Sequence, residues 1–280
     1  MKYAGKTVQI MAMSECPNKC KHCFVEYTGH IPIDELDRML NNYVKIYDKV
    51  IINGTELLMN EKYIELCQKY GQDFIYTNGR LLTPETRIML KKHGIRRLSI
   101  SLHYGIQDKI SNIDIAEISQ KIRETVGDGF EVRVLCNISK DNYKMVPEIA
   151  EYVYSLGARE IKFINLIKEG KGKNYVSNIL SKQEIDEFFF YLNNVRKKYE
   201  KEKFYISRNG GFGNDERRKN NFKCPAGSEW VTLLPDHSVH PCNGLLYSEY
   251  KIGEWDENAI YINEPFEHDC KYCTVLGLQL

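Results

Sequence analysis

The sequence predicts an α/β fold built on a parallel sheet and followed by a small β-rich tail. Three observations carry this expectation. Six strand-like segments alternate with helix-like segments between residues 8 and 166. Several of the strands end at turn signals or at a cysteine loop, as strands do before crossing over. Past Lys168 the texture changes to a charged helical stretch, a glycine-rich segment and then strand-and-turn material. Strand–helix alternation implies parallel strands joined by right-handed crossovers, in a sheet either open or curled into a partial barrel. In both forms the chemistry collects in loops beyond the carboxyl ends of the strands.

Taken in order, Val8–Met13 reads as the first strand and leads directly into the cysteine loop. Ile33, Leu36, Met39, Leu40 and Tyr43 recur at helical spacing after Pro32. Val50–Ile52 is a short buried strand ending at Asn53-Gly54, a helix covers Glu61–Tyr70, and Phe74–Tyr76 is a strand closed by Thr77-Asn78-Gly79. Thr83 caps the next helix with Pro84 at its first position. Arg97–Leu102, Glu131–Leu135 and Ile161–Leu166 complete the strands, with helices over Ile113–Thr125 and Val146–Leu156 between them. Gly170–Lys173 reads as a mobile loop, Ser181–Glu202 as a long charged helix, and Asn209–Asn214 as a linker. Val231–Leu234 and Val239-His240 flank Pro235-Asp236-His237-Ser238, a hairpin signature.

A chain of 280 residues is long enough to bury a sizeable core. Its formal charge of +1 gives no field that argues for nucleic acid or an acidic membrane surface. The basic run Arg217-Arg218-Lys219 lacks aromatic interleaving and reads as a solvated face. No apolar run approaches the ~18–20 residues that span a bilayer, and Met1–Lys6 lacks a secretory core. The expected compartment is therefore the reducing cytoplasm, where nine cysteines read as metal ligands or reactive thiols rather than disulfides.

Cys16, Cys20 and Cys23 form a C-x3-C-x2-C loop just after the first strand. Three thiolates on such a loop can hold three irons of a four-iron cube and leave the fourth open to a ligand. The competing reading is a zinc knuckle with His22 as fourth ligand, which its position beside Cys23 makes awkward. The loop resembles the signature of the radical S-adenosylmethionine superfamily, in which the residue before the last cysteine, here His22, packs near the adenine. Gly54-Thr55-Glu56-Leu57 is similar to that superfamily's Gly-Gly-Glu-Pro segment, with Glu56 implied to face the cofactor's ammonium. Thr77-Asn78-Gly79 matches its third strand end, and Ser99, Ser101 and His103 share one strand face as its fourth strand does. Taken alone, His103 reads as a turn or solvent-facing residue. The resemblance covers residues about 8–166 and implies a partial (β/α)6 TIM-like barrel. It implies a [4Fe–4S] cluster on Cys16, Cys20 and Cys23, with Gly54, Thr55, Glu56, Asn78, Ser99, Ser101 and His22 around S-adenosylmethionine.

Cys224, Cys242, Cys270 and Cys273 supply four further sulfurs, and the hairpin is expected to bring Cys242 back toward Cys224. By ligand chemistry alone either zinc or a four-iron cluster fits four thiolates. Cys-Pro-Ala-Gly at 224–227 and Val-His-Pro-Cys at 239–242 resemble the auxiliary-cluster extension of SPASM and twitch radical enzymes, implying a second [4Fe–4S] cluster. The expected division is a barrel over residues 1–205 and a twitch-like domain over residues 206–280. Cys67 reads as a small buried helix residue; Cys136 ends the fifth strand, where it reads first as a packed strand cysteine and, against that, as a candidate hydrogen donor to a substrate radical.

The resemblance implies reductive cleavage of S-adenosylmethionine and hydrogen abstraction from substrate, with flavodoxin or ferredoxin as reductant. The substrate is expected to be a ribosomal peptide side chain that becomes oxidised. Carbinol or aminocyclitol dehydrogenation, peptide epimerisation and a non-catalytic zinc-stabilised module are the alternatives. Fifteen residues precede Cys16, which weighs against a peptide-recognition domain on that side.

Overall fold

The structure is a computed structural model that describes residues 1–26, 28–209, 224–264 and 266. The chain opens with β1 (Thr7–Met11), α1 (Ile33–Tyr43), β2 (Lys49–Asn53), α2 (Glu61–Lys69), β3 (Phe74–Thr77) and α3 (Pro84–Lys92). It continues through β4 (Arg97–Ser101), a short α4 (Gln107–Ile110), α5 (Ile115–Gly127), β5 (Glu131–Ile138), α6 (Val146–Ser155) and β6 (Glu160–Asn165). After α7 (Lys182–Lys198) come β7 (Tyr205–Arg208), β8 (Trp230–Leu233), β9 (Ser238–His240), β10 (Gly253–Trp255) and β11 (Ile260–Ile262).

The six expected strands β1–β6 are all present, and each neighbouring pair that is hydrogen-bonded runs parallel. Two further parallel strands extend them: β7 pairs with β6, and β8 pairs with β1. The result is one sheet ordered β11-β10-β9-β8-β1-β2 and a second ordered β3-β4-β5-β6-β7. Between β2 and β3 the side chain of Gln72 takes the place of a ladder. Its Oε1 accepts from Ile52 N at 2.8 Å, and its Nε2 donates to Ile52 O and Phe74 O, both at 2.9 Å. An amide side chain offers one acceptor and two donors, so it can satisfy backbone groups on both flanks of a seam.

Period two sorts the strands into two faces. Ile10, Ile52, Ile75, Leu98, Ile100, Val134, Ile161 and Phe163 are buried and form the helix-covered core. Phe163 meets Phe188 of α7 edge-on, with ring centroids 5.9 Å apart; burying such a ring contributes roughly 2–3 kcal/mol. The opposite face carries Gln9, Tyr76, Ser99, Ser101, Arg133, Glu160, Lys162 and Ser207, and is polar. The helix signals act as read: Thr83 Oγ1 accepts from Thr86 N at 3.2 Å ahead of Pro84, and Ser181 with Glu184 forms a capping box on α7.

The predicted hairpin exists as the antiparallel pair β8–β9. A boundary at 205/206 nevertheless does not divide the described sheet, because β8 lies against β1. The tail also caps α1: Tyr43 donates to the carbonyls of Asp256 (2.7 Å) and Ala259 (3.1 Å), and Arg38 pairs with Glu257 at 2.6 Å. Among the described residues no helix is long and apolar enough to cross a membrane.

Candidate active site

The cysteine loop leaves the carboxyl end of β1 and is held from below by the segment after α4. Lys21 N donates to Ile110 O at 2.9 Å, and Asn112 Nδ2 donates to the carbonyls of Asn18 (2.7 Å) and Lys19 (3.1 Å). Asn18, itself buried, donates from Nδ2 to Cys20 Sγ at 3.0 Å, and Arg80 donates to its Oδ1 at 3.2 Å. Asn78, at the end of β3, donates from Nδ2 to Cys16 Sγ at 3.3 Å. Two of the three sulfurs thus receive an amide N–H, the kind of contact that stabilises thiolate ligands and tunes a cluster.

The thiols feel one another. Burial pushes the Cys20 thiol up to about 11, with Cys16 and Cys23 adding to the rise. Burial also raises Cys16, with further contributions from Glu56 and Cys23. Three thiolates in one place need a compensating cation, which a metal centre supplies. Three thiolates on one loop suit a four-iron cube that gives each cysteine its own iron and leaves the fourth iron open. His22 is otherwise engaged: its Nδ1 lies 3.1 Å from Ile110 O, and its ring meets His103 edge-on at 5.2 Å between centroids.

His103 lies just beyond β4 and is almost fully buried, its Nδ1 accepting from Asn137 N at 3.1 Å. Burial, then the neighbouring His22, holds it well below the usual histidine range, and burial lowers His22 as well. The lowering favours the neutral form of both rings, which stand at right angles to one another at the cysteine loop. Ser99 and Ser101 sit on the polar face of β4, as read, and their hydroxyls have no hydrogen bond among the described residues.

The Glu56 carboxylate is fully buried and accepts from Thr77 Oγ1 at 2.9 Å on both oxygens, from Asn78 N at 2.9 Å and from Leu58 N at 3.4 Å. Burial pushes it up to about 7, only partly offset by these bonds. The side chain therefore ties the turn after β2 to the end of β3. That turn is brought against the cysteine loop by Thr55, whose N donates to Met13 O at 3.1 Å and whose hydroxyl donates to Glu15 O. Gly54 is needed for this approach, since a Cβ there would stand 2.8 Å from both Met13 Cγ and Leu57 Cδ2.

Cys136 is fully buried on the helix-covered face, in register with Phe163 and away from Ser99 and Ser101, the position of a packed strand cysteine. The mobile-loop expectation is corrected. Gly170–Asn178 is a 3-10 segment docked on the cysteine loop, where Lys171 N donates to Cys23 O at 3.0 Å. Gly170 has φ +55, and a Cβ there would meet Tyr247 Oη and stand 2.9 Å from Cys23 O. Gly170→Ala is expected to cost about 1–3 kcal/mol and to lower the iron retained per chain on reconstitution. Lys171→Ala keeps the backbone N–H and should leave both unchanged. Thermal melts and iron assays of the two variants test the docking.

In the tail, Gly227 N donates to Pro241 O at 2.9 Å, which sets the segments bearing Cys224 and Cys242 side by side, both thiols partly exposed. Cys270 and Cys273 lie outside the described residues. Met11, Leu234 and Leu246 pack together with Phe24 and Val25, so tail residues also seat the exit of the cysteine loop.

No family model matches the chain. It is 23% identical over 273 residues to the antilisterial bacteriocin subtilosin biosynthesis protein AlbA of Bacillus subtilis, covering 90% of this chain and 58% of AlbA. Its fold is similar to that of Streptococcus suis SuiB bound to S-adenosylmethionine, with TM-score 0.71 and 15% identity over 90% of this chain and 63% of SuiB. It is also similar to Escherichia coli coproporphyrinogen III oxidase HemN, described as a radical SAM enzyme, with TM-score 0.52 and 12% identity over 71% of this chain and 53% of HemN. These similarities support the reading of the chain as a radical S-adenosylmethionine protein. The chain spans less than two thirds of the length of AlbA, SuiB and HemN.

The residues that brace the loop are, Asn18 apart, ones that local sequence pattern does not reveal. Asn18 sits between two cysteines, where an amide donor two residues before a thiol is a readable signal. Asn112, Arg80, Lys171 and Tyr247 carry no such signal. Tyr247 donates to Phe24 O at 2.5 Å across 223 positions of chain.

Proposed function

We propose that this protein is a radical S-adenosylmethionine enzyme that oxidatively modifies a side chain of a ribosomal peptide. The observation that carries the reading is the placement of Cys16, Cys20 and Cys23 at the carboxyl edge of the parallel strands, with amide donors from Asn18 and Asn78 on two of the sulfurs. A [4Fe–4S] cluster held there supplies one-electron cleavage of S-adenosylmethionine to methionine and a 5′-deoxyadenosyl radical. The chain's own residues bind and orient. His22 and His103, whose neutral forms are favoured, present rings suited to the adenine. The Gly54–Thr55 turn and the hydroxyls of Ser99 and Ser101 offer polar contacts to the rest of the cofactor, while Glu56 acts by bracing that turn.

The peptide substrate is supported by AlbA, a bacteriocin biosynthesis protein, and by SuiB, known also bound to its precursor peptide SuiA. Cys224 and Cys242, set side by side, support an auxiliary site completed by Cys270 and Cys273. A second cluster there would take up the electron left on an oxidised substrate, in the manner of a twitch-type member. The reducing cytoplasm suits cysteines that serve as metal ligands, with flavodoxin or ferredoxin as electron source.

The test is anaerobic reconstitution followed by reduction with dithionite in the presence of S-adenosylmethionine. About eight irons per chain, four for each cube, and equimolar 5′-deoxyadenosine and methionine are expected. Bound zinc with little iron, and no 5′-deoxyadenosine, would overturn the reading.

A further inference from the structure

The polar face of the strands carries a lysine that has no hydrogen bond or ion pair among the described residues. Arg133 of β5 donates from Nε to Glu160 Oε2 of β6 at 2.6 Å, and Ser207 of β7 donates to Glu160 Oε1 at 2.5 Å. Glu160 is thereby shared between two donors. Lys162, two residues further along β6, sits between Leu135 and Ser207 in the register and has no hydrogen bond or ion pair among the described residues. It is half-buried, and partial burial, with Arg133 nearby, lowers its tendency to hold a proton, Glu160 opposing. Drawing an ammonium partly out of water is costly unless a carboxylate or equivalent repays it.

Its level along the strands matters. Ser101, Leu135 and Lys162 are consecutive register partners on β4, β5 and β6, which puts Lys162 two strands, roughly 10 Å, from Ser101. The residues of β1 and β2 on the same face of their own sheet add two acceptors, Gln9 Oε1 and Asn53 Oδ1, both buried without a donor among the described residues. Unpaired buried amide oxygens of this kind suit donors such as peptide N–H groups.

Resting on the peptide-modifying reading above, we infer that Lys162 receives a carboxylate of the peptide substrate, so that the enzyme selects peptides with an acidic residue close to the modified position. Leu135 flanks Lys162 on one side in the register, and Ser207 on the other donates to Glu160. The Arg133–Glu160 pair leaves Lys162 as the cation still open on this wall. A specificity group here lies beside the cofactor face without belonging to it.

The test uses reconstituted, oxidised holoprotein and an equimolar pool of Ac-X-X-Glu-X-X-X-amide and Ac-X-X-Gln-X-X-X-amide hexapeptides, with the bound fraction quantified by mass spectrometry. Wild type should enrich the Glu members about tenfold, the order expected of a charge-assisted hydrogen bond. Lys162→Met should abolish the enrichment and Lys162→Arg should retain most of it. Equal recovery of Glu and Gln members by wild type overturns the inference, as does enrichment undiminished in Lys162→Met. Loss of the Glu preference when S-adenosylmethionine is saturating also overturns it, since Lys162 then serves the cofactor's carboxylate. None of these readouts requires turnover, so absent 5′-deoxyadenosine formation would count against the radical chemistry and leave this test standing.

Discussion

Alanine at Cys16, Cys20 or Cys23 should each reduce 5′-deoxyadenosine formation to background while leaving the fold intact. The three thiols are drawn together on one loop whose backbone is pinned by bonds that do not involve sulfur: Lys21 to Ile110, Asn112 to Asn18 and Lys19, and Lys171 to Cys23. Removing one sulfur therefore removes one ligand and little else. A cube on two cysteines has two irons without protein ligands, so iron at this site is expected to fall from about four per chain toward zero. Stability of the metal-free protein should change by less than about 1 kcal/mol, because each of the three is only partly buried. Iron analysis, product chromatography and thermal melts of the three variants check this together. Near-normal product from any of them would remove the cluster from this loop.

Substitutions at Glu56 should separate bracing from cofactor contact. Glu56→Ala leaves the Thr77 hydroxyl and the N–H groups of Asn78 and Leu58 without their acceptor inside a buried pocket. The expected cost is about 3 kcal/mol, from unsatisfied donors and an unfilled space, or roughly 6–10 °C in melting temperature. Glu56→Gln keeps an acceptor for Asn78 and should behave differently with pH. Burial raises the Glu56 carboxyl to about 7 in the folded protein, whereas an unfolded glutamate titrates near ~4.3. Between these values the native state binds the proton and the unfolded state does not. The contribution of Glu56 is thus fully present below about 4.3 and is lost as pH rises through about 7, a swing on the order of 3 kcal/mol. The buried histidines act in the opposite sense. Their folded values are depressed, so their contribution is present above the unfolded value of ~6.5 and lost as pH falls. They cancel in the difference between wild type and Glu56→Gln. In metal-free protein that difference should shift in favour of the variant from pH 5 to pH 8, measured by denaturant unfolding. A flat difference would place the carboxylate in water and sink the bracing role.

Much of the site was legible because its chemistry needs particular residue types at short spacing. The C-x3-C-x2-C loop, the Gly54–Glu56 turn and Thr77-Asn78-Gly79 are local patterns, and the topology of parallel strands sends them to one edge. Which way a side chain turns is not a local property: a carboxylate after a strand can turn inward to cap its neighbour, as Glu56 does, and one residue of register decides whether a strand cysteine such as Cys136 faces the site or the core. The reading of Gly170–Lys173 as mobile came from composition, whereas Gly170 is there because Tyr247 and Cys23 leave no room for a side chain.

Local pattern, then, determined the strand–helix order, the helix caps, the β8–β9 hairpin and the metal-ligand loop, since each depends on residues within a few positions of one another. Only the tertiary structure decided what lies beyond that range. It placed β8 beside β1, closed the β2–β3 seam with Gln72, aimed amides at two of the three sulfurs and left Lys162 unpaired among neutralised neighbours. Those outcomes turn on contacts between distant segments and on which face each side chain takes, and a burial cost or an unmet hydrogen bond exists only once the surrounding protein is in place.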